Sequence, residues 1–198
     1  MSHSEKRGTL EVVHGSMFGG KTERMIAVLR AAESEGRRAI AFKHIIDNRY
    51  DAEHLVTHRN EMFEAVRVSC AEEILTAVLN QSSPSQPAVD LVAIDEGHFF
   101  KRALVPVVRR LLERGVSVIV AGISNDAWGR PFEPMPELAA MADRVVIKQA
   151  PCVVCGKPAE FTQRITAVNT LHMVGGLADY EPRCADHFTP LPGPPESR

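Results

Sequence analysis

Apolar positions along the chain change period several times, and each change predicts an element. Thr9-Leu10-Glu11-Val12-Val13-His14 reads as a strand, with a Gly-rich turn after it. Over residues 22–35, Met25, Ile26, Val28, Leu29 and Ala32 recur at helical spacing and form one stripe. Ala39-Ile40-Ala41-Phe42 predicts a second short strand, and residues 61–68 read as a further strand or as irregular chain. Residues 71–79 place Ile74, Leu75 and Val78 on one helical face, and the Ser and Pro content of residues 81–87 marks a loop. Val89-Asp90-Leu91-Val92-Ala93-Ile94 is a strand that ends in two carboxylates. Residues 104–114 predict a helix with Gly115 as its stop. Residues 116–121 are almost wholly apolar and β-branched, as strands covered on both faces are.

Strand, helix and strand in alternation predict an α/β domain with a doubly wound, mainly parallel sheet. Ligands of such sheets bind at the carboxyl ends of the strands, and the distinctive sequences here follow those ends. Composition changes near Ala150-Pro151, where cysteines, short polar-apolar alternation and a Pro-rich end begin. The expected division is a nucleotide-binding domain over residues 1–150, a small metal-binding, ribbon-like domain over residues 151–190, and a disordered tail over residues 191–198.

Charge and composition narrow the function. A net charge of -2 argues against a strongly basic nucleic-acid binder. No apolar run approaches the ~20 residues of a membrane span. Met1-Ser2-His3-Ser4-Glu5-Lys6-Arg7 lacks the apolar centre of a signal peptide, so the expected location is the cytoplasm. There, Cys-x-x-Cys suggests metal or redox chemistry rather than structural disulfides.

Three sets of residues carry candidate chemistry. Gly15-Ser16-Met17-Phe18-Gly19-Gly20-Lys21-Thr22 fits G-x-x-x-x-G-K-[ST] and sits between a strand and a helix. Its glycines let backbone N–H groups turn inward around phosphate oxygens. Lys21 supplies charge for the β- and γ-phosphates, and the Thr22 hydroxyl can ligate Mg²⁺. Asp95 and Glu96 close a strand; the first is assigned to Mg²⁺, the second to accepting a proton from an attacking hydroxyl. Because neighbours on a strand point to opposite faces, the two need not share one task. Cys152-x-x-Cys155 and Cys184-x-x-His187, separated by 28 residues, have the layout of a structural Zn²⁺ site. A redox Cys-x-x-Cys is the rival reading. Cys70 reads as a buried apolar residue. His14, His44, His54, His98 and His172 lack ligand spacing.

Taken in order, these motifs resemble the type II (cellular-type) thymidine kinases over about residues 8–188. The resemblance also rests on Asp47-Asn48-Arg49-Tyr50 with Thr57-His58, on Asp95-Glu96-Gly97-His98-Phe99-Phe100, and on Gly129-Arg130-Pro131-Phe132. Cys152-Val153-Val154-Cys155 and Val174-Gly175-Gly176-Leu177-Ala178-Asp179-Tyr180 complete it. It implies transfer of the γ-phosphate of ATP to the 5′-hydroxyl of thymidine or deoxyuridine with Mg²⁺, in nucleotide salvage. It also implies a P-loop domain with a small zinc-bearing domain whose loop covers the nucleoside, and a homotetramer. No nucleic-acid or membrane partner is implied. By position, Lys21 and Thr22 hold phosphates and Mg²⁺, Asp95 sits by the metal, and Glu96 is the base. Arg49 lies near the transferred phosphoryl group, and Met17, Phe99, Phe132, Met173, Gly175 and Tyr180 line the nucleoside pocket.

The chain departs from the family pattern at several positions. His98 stands where Gln is usual, Ala127 near a usual Phe, and Trp128 where the family has a polar or basic residue. Gly19 replaces a common Ser, and Thr57-His58-Arg59-Asn60 lacks an acid after the histidine. The phosphate chemistry is untouched, but the base preference is left open. The alternatives are a deoxynucleoside kinase of altered preference and a nucleotide-binding regulatory protein without turnover. A zinc-ribbon ATPase acting on nucleic acid is a third class, opposed by the charge.

Overall fold

A computed structural model of the chain describes residues 7–47, 54–56, 62–80, 88–166, 175–176 and 178–193. In chain order the elements are β1 (Leu10–Gly15), α1 (Lys21–Ser34), β2 (Ala39–His44), β3 (His54–Val56), β4 (Met62–Val68) and α2 (Ala71–Asn80). Next come β5 (Leu91–Ile94), a 3-10 segment (Gly97–Ala103), α3 (Leu104–Glu113), β6 (Ser117–Ile123), α4 (Met135–Met141) and β7 (Arg144–Lys148). The last two are β8 (Phe161–Arg164) and β9 (Tyr180–Arg183).

β1 to β7 form one sheet in the order β3-β4-β2-β5-β6-β1-β7. Every neighbouring pair is parallel except β3 with β4. The strand period of two sorts the core into two layers. Val92 and Ile94 of β5, with Val118 and Val120 of β6, pack with the apolar faces of α2, α3 and α4. Leu91 and Ala93, with Ile119 and Ala121, pack instead with Met25, Ile26, Leu29 and Ala32 of α1. Helices on both faces explain why the central strands are apolar throughout. The expected doubly wound, mainly parallel architecture is therefore observed. β8 and β9 form a separate antiparallel pair, with Phe161 opposite Arg183 and Arg164 opposite Tyr180.

Within the stretch 61–68, ambiguous by pattern, Met62–Val68 is a strand. The pattern does not reveal β3, α4, β7, β8, β9 or the 3-10 segment. Cys70 is exposed, not buried as expected, because Ser69 and Cys70 form the bend between β4 and α2. Among the described residues, no helix is long and apolar enough to cross a membrane.

Candidate active site

β1 ends at Gly15, whose φ is +150°; a Cβ there would lie 1.8 Å from the Lys148 carbonyl oxygen. Only glycine fits that contact, so the loop begins pressed against the end of β7. The amide of Ala150 donates to Ser16 Oγ at 3.1 Å, and the amide of Met17 donates to Thr162 Oγ1 of β8 at 3.0 Å. Phe18 is held in the left-handed region at φ 63°, an uncommon conformation for a residue with a side chain. Lys21, buried at the first position of α1, donates from Nζ to the Ser16 carbonyl at 2.6 Å. The N-cap of α1 is Gly20, which offers no side-chain cap. First-turn amides and a buried ammonium thus meet at one helix end, an arrangement suited to phosphate oxygens.

The acidic pair follows β5, two strands from β1 in the sheet. The amide of Asp95 donates to the Phe42 carbonyl at 3.0 Å, extending the contact between β5 and β2. Thr22 Oγ1 donates to Asp95 Oδ2 at 3.4 Å, and the amide of Glu96 donates to Asp95 Oδ1 at 2.9 Å. Asp95 thereby touches both the phosphate loop and its own neighbour. Glu96 has left the strand: its φ and ψ are 49° and 46°. Strand alternation does not set its direction; the left-handed turn does. Asp95 and Glu96 are 7% and 8% exposed, so both are poised in a largely dry setting.

A cavity of ≈ 1260 Å³ is lined by His98, Phe99 and Phe100, which follow the pair in the chain, though not by Asp95 or Glu96 themselves. Of the expected nucleoside residues, Met17, Phe99, Phe132, Gly175 and Tyr180 line it. Arg49 and Met173 lie outside the described residues, as do Asn48, Tyr50, Thr57 and His58. Arg164 Nη1 donates to the Tyr180 hydroxyl at 2.7 Å, which fixes that ring across the β8–β9 pair. The Asp179 carboxylate accepts from the Gly176 amide at 3.2 Å and closes the turn beneath Gly175.

His98, which lacks ligand spacing, is buried in this wall. Its ring centroid lies 4.3 Å from Phe99 and 4.5 Å from Phe132. Its Nδ1 is 3.4 Å from Glu96 Oε2 and 3.5 Å from the Ile123 amide. Ligand spacing could not find it; the available signal was its place two residues after the acidic pair. His14, also set aside, meets Ser124 Oγ through Nδ1 at 2.7 Å and ties the end of β1 to β6. Burial, then the Lys21 charge, holds its imidazole below the ordinary value.

Cys152, Cys155, Cys184 and His187 converge as their spacing predicts, with all four ligand atoms within 4.8 Å of one another. Cys155 and Cys184 Sγ are 3.6 Å apart, far beyond a disulfide bond of about 2.0 Å. His187 Nδ1 lies 3.2 Å from Cys184 Sγ and 3.8 Å from Cys152 Sγ. Bonds of about 2.3 Å to sulfur in a tetrahedron place sulfurs roughly 3.8 Å apart, so the set can hold zinc. Burial opposes charge on Cys152, but amide donors from Cys184, Val154 and Cys155 bring the thiol down to about 6. Burial, then the Cys155 contact, pushes the Cys184 thiol up.

Comparison with known proteins agrees with this geometry. The sequence model described as thymidine kinase matches residues 8–188. A protein named thymidine kinase from Bdellovibrio bacteriovorus is 42% identical over 189 residues, covering 96% of this chain and 89% of that one. A match of this extent takes in the phosphate loop, the acidic pair and the cysteine–histidine set together, and the chain belongs to the thymidine kinase family, the enzymes that phosphorylate nucleosides.

Proposed function

We propose that the protein transfers the γ-phosphoryl group of ATP to the 5′-hydroxyl of thymidine, and of deoxyuridine, as a Mg²⁺-dependent salvage enzyme. One observation carries the reading: Asp95 contacts Thr22 through one oxygen and the Glu96 amide through the other, and His98 and Phe99, just after that pair, line a cavity with ample room for a nucleoside.

In this mechanism the loop amides over residues 15–22 and the Lys21 ammonium receive the triphosphate. Thr22 and Asp95 present hard oxygen donors of the kind Mg²⁺ takes. Mg²⁺ bound there supplies charge neutralisation across the phosphate oxygens. Met17, Phe99, Phe132, Gly175 and Tyr180 hold the nucleoside, with Met173 added by family position. Glu96 accepts the proton of the 5′-hydroxyl as that oxygen bonds to the γ-phosphorus and the bond to the β,γ-bridging oxygen breaks. ADP and the nucleoside 5′-monophosphate leave. Arg49 is assigned to the charge on the phosphoryl oxygens, which its fork of donors suits.

Cys152, Cys155, Cys184 and His187 would hold a structural zinc that staples a lobe over residues 151–190 onto the kinase domain over residues 1–150. The reading places the enzyme in the cytoplasm as a homotetramer without nucleic-acid or membrane partners. Ala127 and Trp128 in the cavity wall favour a second reading, a kinase of altered base preference. A nucleoside panel assayed with MgATP, beside a zinc determination, separates the two. Preference for thymidine supports the first, a different best substrate supports the second, and ATP binding without turnover removes both.

A further inference from the structure

Trp128 stands where the family has a polar or basic residue, and the structure gives it an unusual attachment. The loop between β6 and α4 forms one wall of the cavity. Asp126 stiffens it: its Oδ1 accepts from the amides of Trp128 and Arg130, each at 2.9 Å. Gly129 completes the turn in the left-handed region, at φ +77°. The backbone therefore fixes where Trp128 starts.

Its side chain is fixed from elsewhere. The Arg130 guanidinium carbon lies 5.3 Å from the indole centroid, within cation–π range. The indole Nε1 donates to the Gly193 carbonyl at 2.7 Å, and the Leu191 amide donates to the Ala127 carbonyl at 3.2 Å. Leu191 and Gly193 belong to the Pro-rich end of the chain, and here they run along the outside of the cavity wall. A packed indole N–H needs an acceptor, and this segment provides it. Nearer the metal set, Phe188 stacks on Phe161 of β8 at 4.4 Å, and the Thr189 amide donates to Gln163 Oε1 at 2.7 Å. One short stretch thus spans from β8 to the cavity wall.

We propose that Trp128 is a positioning residue for the nucleoside, and that the segment over residues 188–193 holds it in place as a strap. This rests on the reading that the cavity receives the nucleoside. The strap then sets nucleoside affinity while leaving the phosphate chemistry alone, because neither Trp128 nor Gly193 belongs to the phosphate loop or the acidic pair.

Two variants test it with MgATP and thymidine: Trp128→Phe, which keeps a ring but loses the donor, and a chain ended after Thr189. Trp128→Phe should raise the KM for thymidine about fivefold, the loss of one hydrogen bond, and the shortened chain, which also loses the Leu191 amide contact, at least as much, with kcat and the KM for ATP changed less than about twofold. Combining them should do no more than the shortening alone, since both break the contact between Trp128 and Gly193. Trp128 is the sole tryptophan of the chain, so its emission reports the strap without turnover. The shortened chain should emit further to the red and be quenched more by acrylamide, and thymidine should perturb the emission of the full chain. An unchanged KM for thymidine in both variants overturns the proposal whatever the emission does, as does a double variant whose effects multiply. A full chain that phosphorylates no nucleoside of the panel sinks the reading of the cavity and the proposal with it, and where another nucleoside is the best substrate the same KM comparison is made with that one. Normal thymidine turnover with a strap-independent KM sinks the proposal alone.

Discussion

Glu96 is assigned a proton while it is almost shielded from water, beside Asp95 and with His98 Nδ1 3.4 Å from its Oε2. Replacing it by Gln keeps the shape and removes the base. Glu96→Gln should lower kcat by about 10²–10⁴ while thymidine binding, measured by calorimetry, stays close to normal; full turnover in that variant would remove Glu96 from the mechanism. Lys21→Ala removes the ammonium from the proposed triphosphate cradle and should cost about 10²-fold or more in kcat/KM for ATP, with the circular dichroism spectrum unchanged. His14 makes a prediction of a different kind. Its imidazole titrates below 6.5 in the fold, for burial and then the Lys21 charge disfavour the cation. The unfolded chain takes up that proton first on acidification. The His14 contribution is therefore intact above pH 6.5 and declines as pH falls from there through the lower folded value. A His14→Gln chain should show a flatter dependence of Tm on pH in that window.

Among the elements, α3 and β6 are the most predictable because their apolar positions match their burial, periodic in α3 and continuous in β6. Leu111 of α3 is fully buried, and Leu111→Ala should cost about 2–5 kcal/mol. Denaturant titration would show this as a lowered midpoint, with activity retained at low temperature. β7 and α4 illustrate what local pattern misses. α4 spans only Met135–Met141, with Pro134 as its N-cap and Pro136 within it; its helix depends on Met135 and Leu138 finding the sheet. β7 pairs through its backbone with β1, while Val145 and Ile147 remain 44% and 62% exposed. Neither periodicity nor burial announces such an edge strand. The turn over residues 15–22 was legible because Gly15, Gly19 and Gly20 each answer a backbone requirement within it. His98 was not, because its part in the wall comes from Phe132, far away in the chain.

For the molecule as a whole, the cysteine–histidine set joins residues 152–155 to residues 184–187, closing a long excursion of chain that includes both strands of the second sheet. Within that lobe the buried apolar cluster consists of Cys152, Ala159 and Cys184 alone among the described residues. So small a core gives little stability by itself, and a metal would supply the rest. Metal analysis should find about one zinc per chain. Chelation should raise proteolysis within residues 151–190 before the main sheet unfolds. A metal-free chain with full activity and unchanged proteolysis would contradict the assignment. The Cys–Cys and Cys–His pairs were readable from spacing; their link to the cavity wall was not, since it runs through the Phe188 ring, Gln163 and the Trp128 indole, partners far apart in the chain.

The carbonyl of Lys148 also restricts position 19, where a methyl would approach to 2.5 Å, as it does position 15. Two points of the nucleotide loop therefore rest on one oxygen atom. Side chains at 148 are free to drift over evolutionary time, since the partner is main chain, whereas insertions or deletions between Ile147 and Ala150 would dislodge that prop. Tolerance to mutation and tolerance to length change thus come apart at this spot: a permissive letter in a rigid frame.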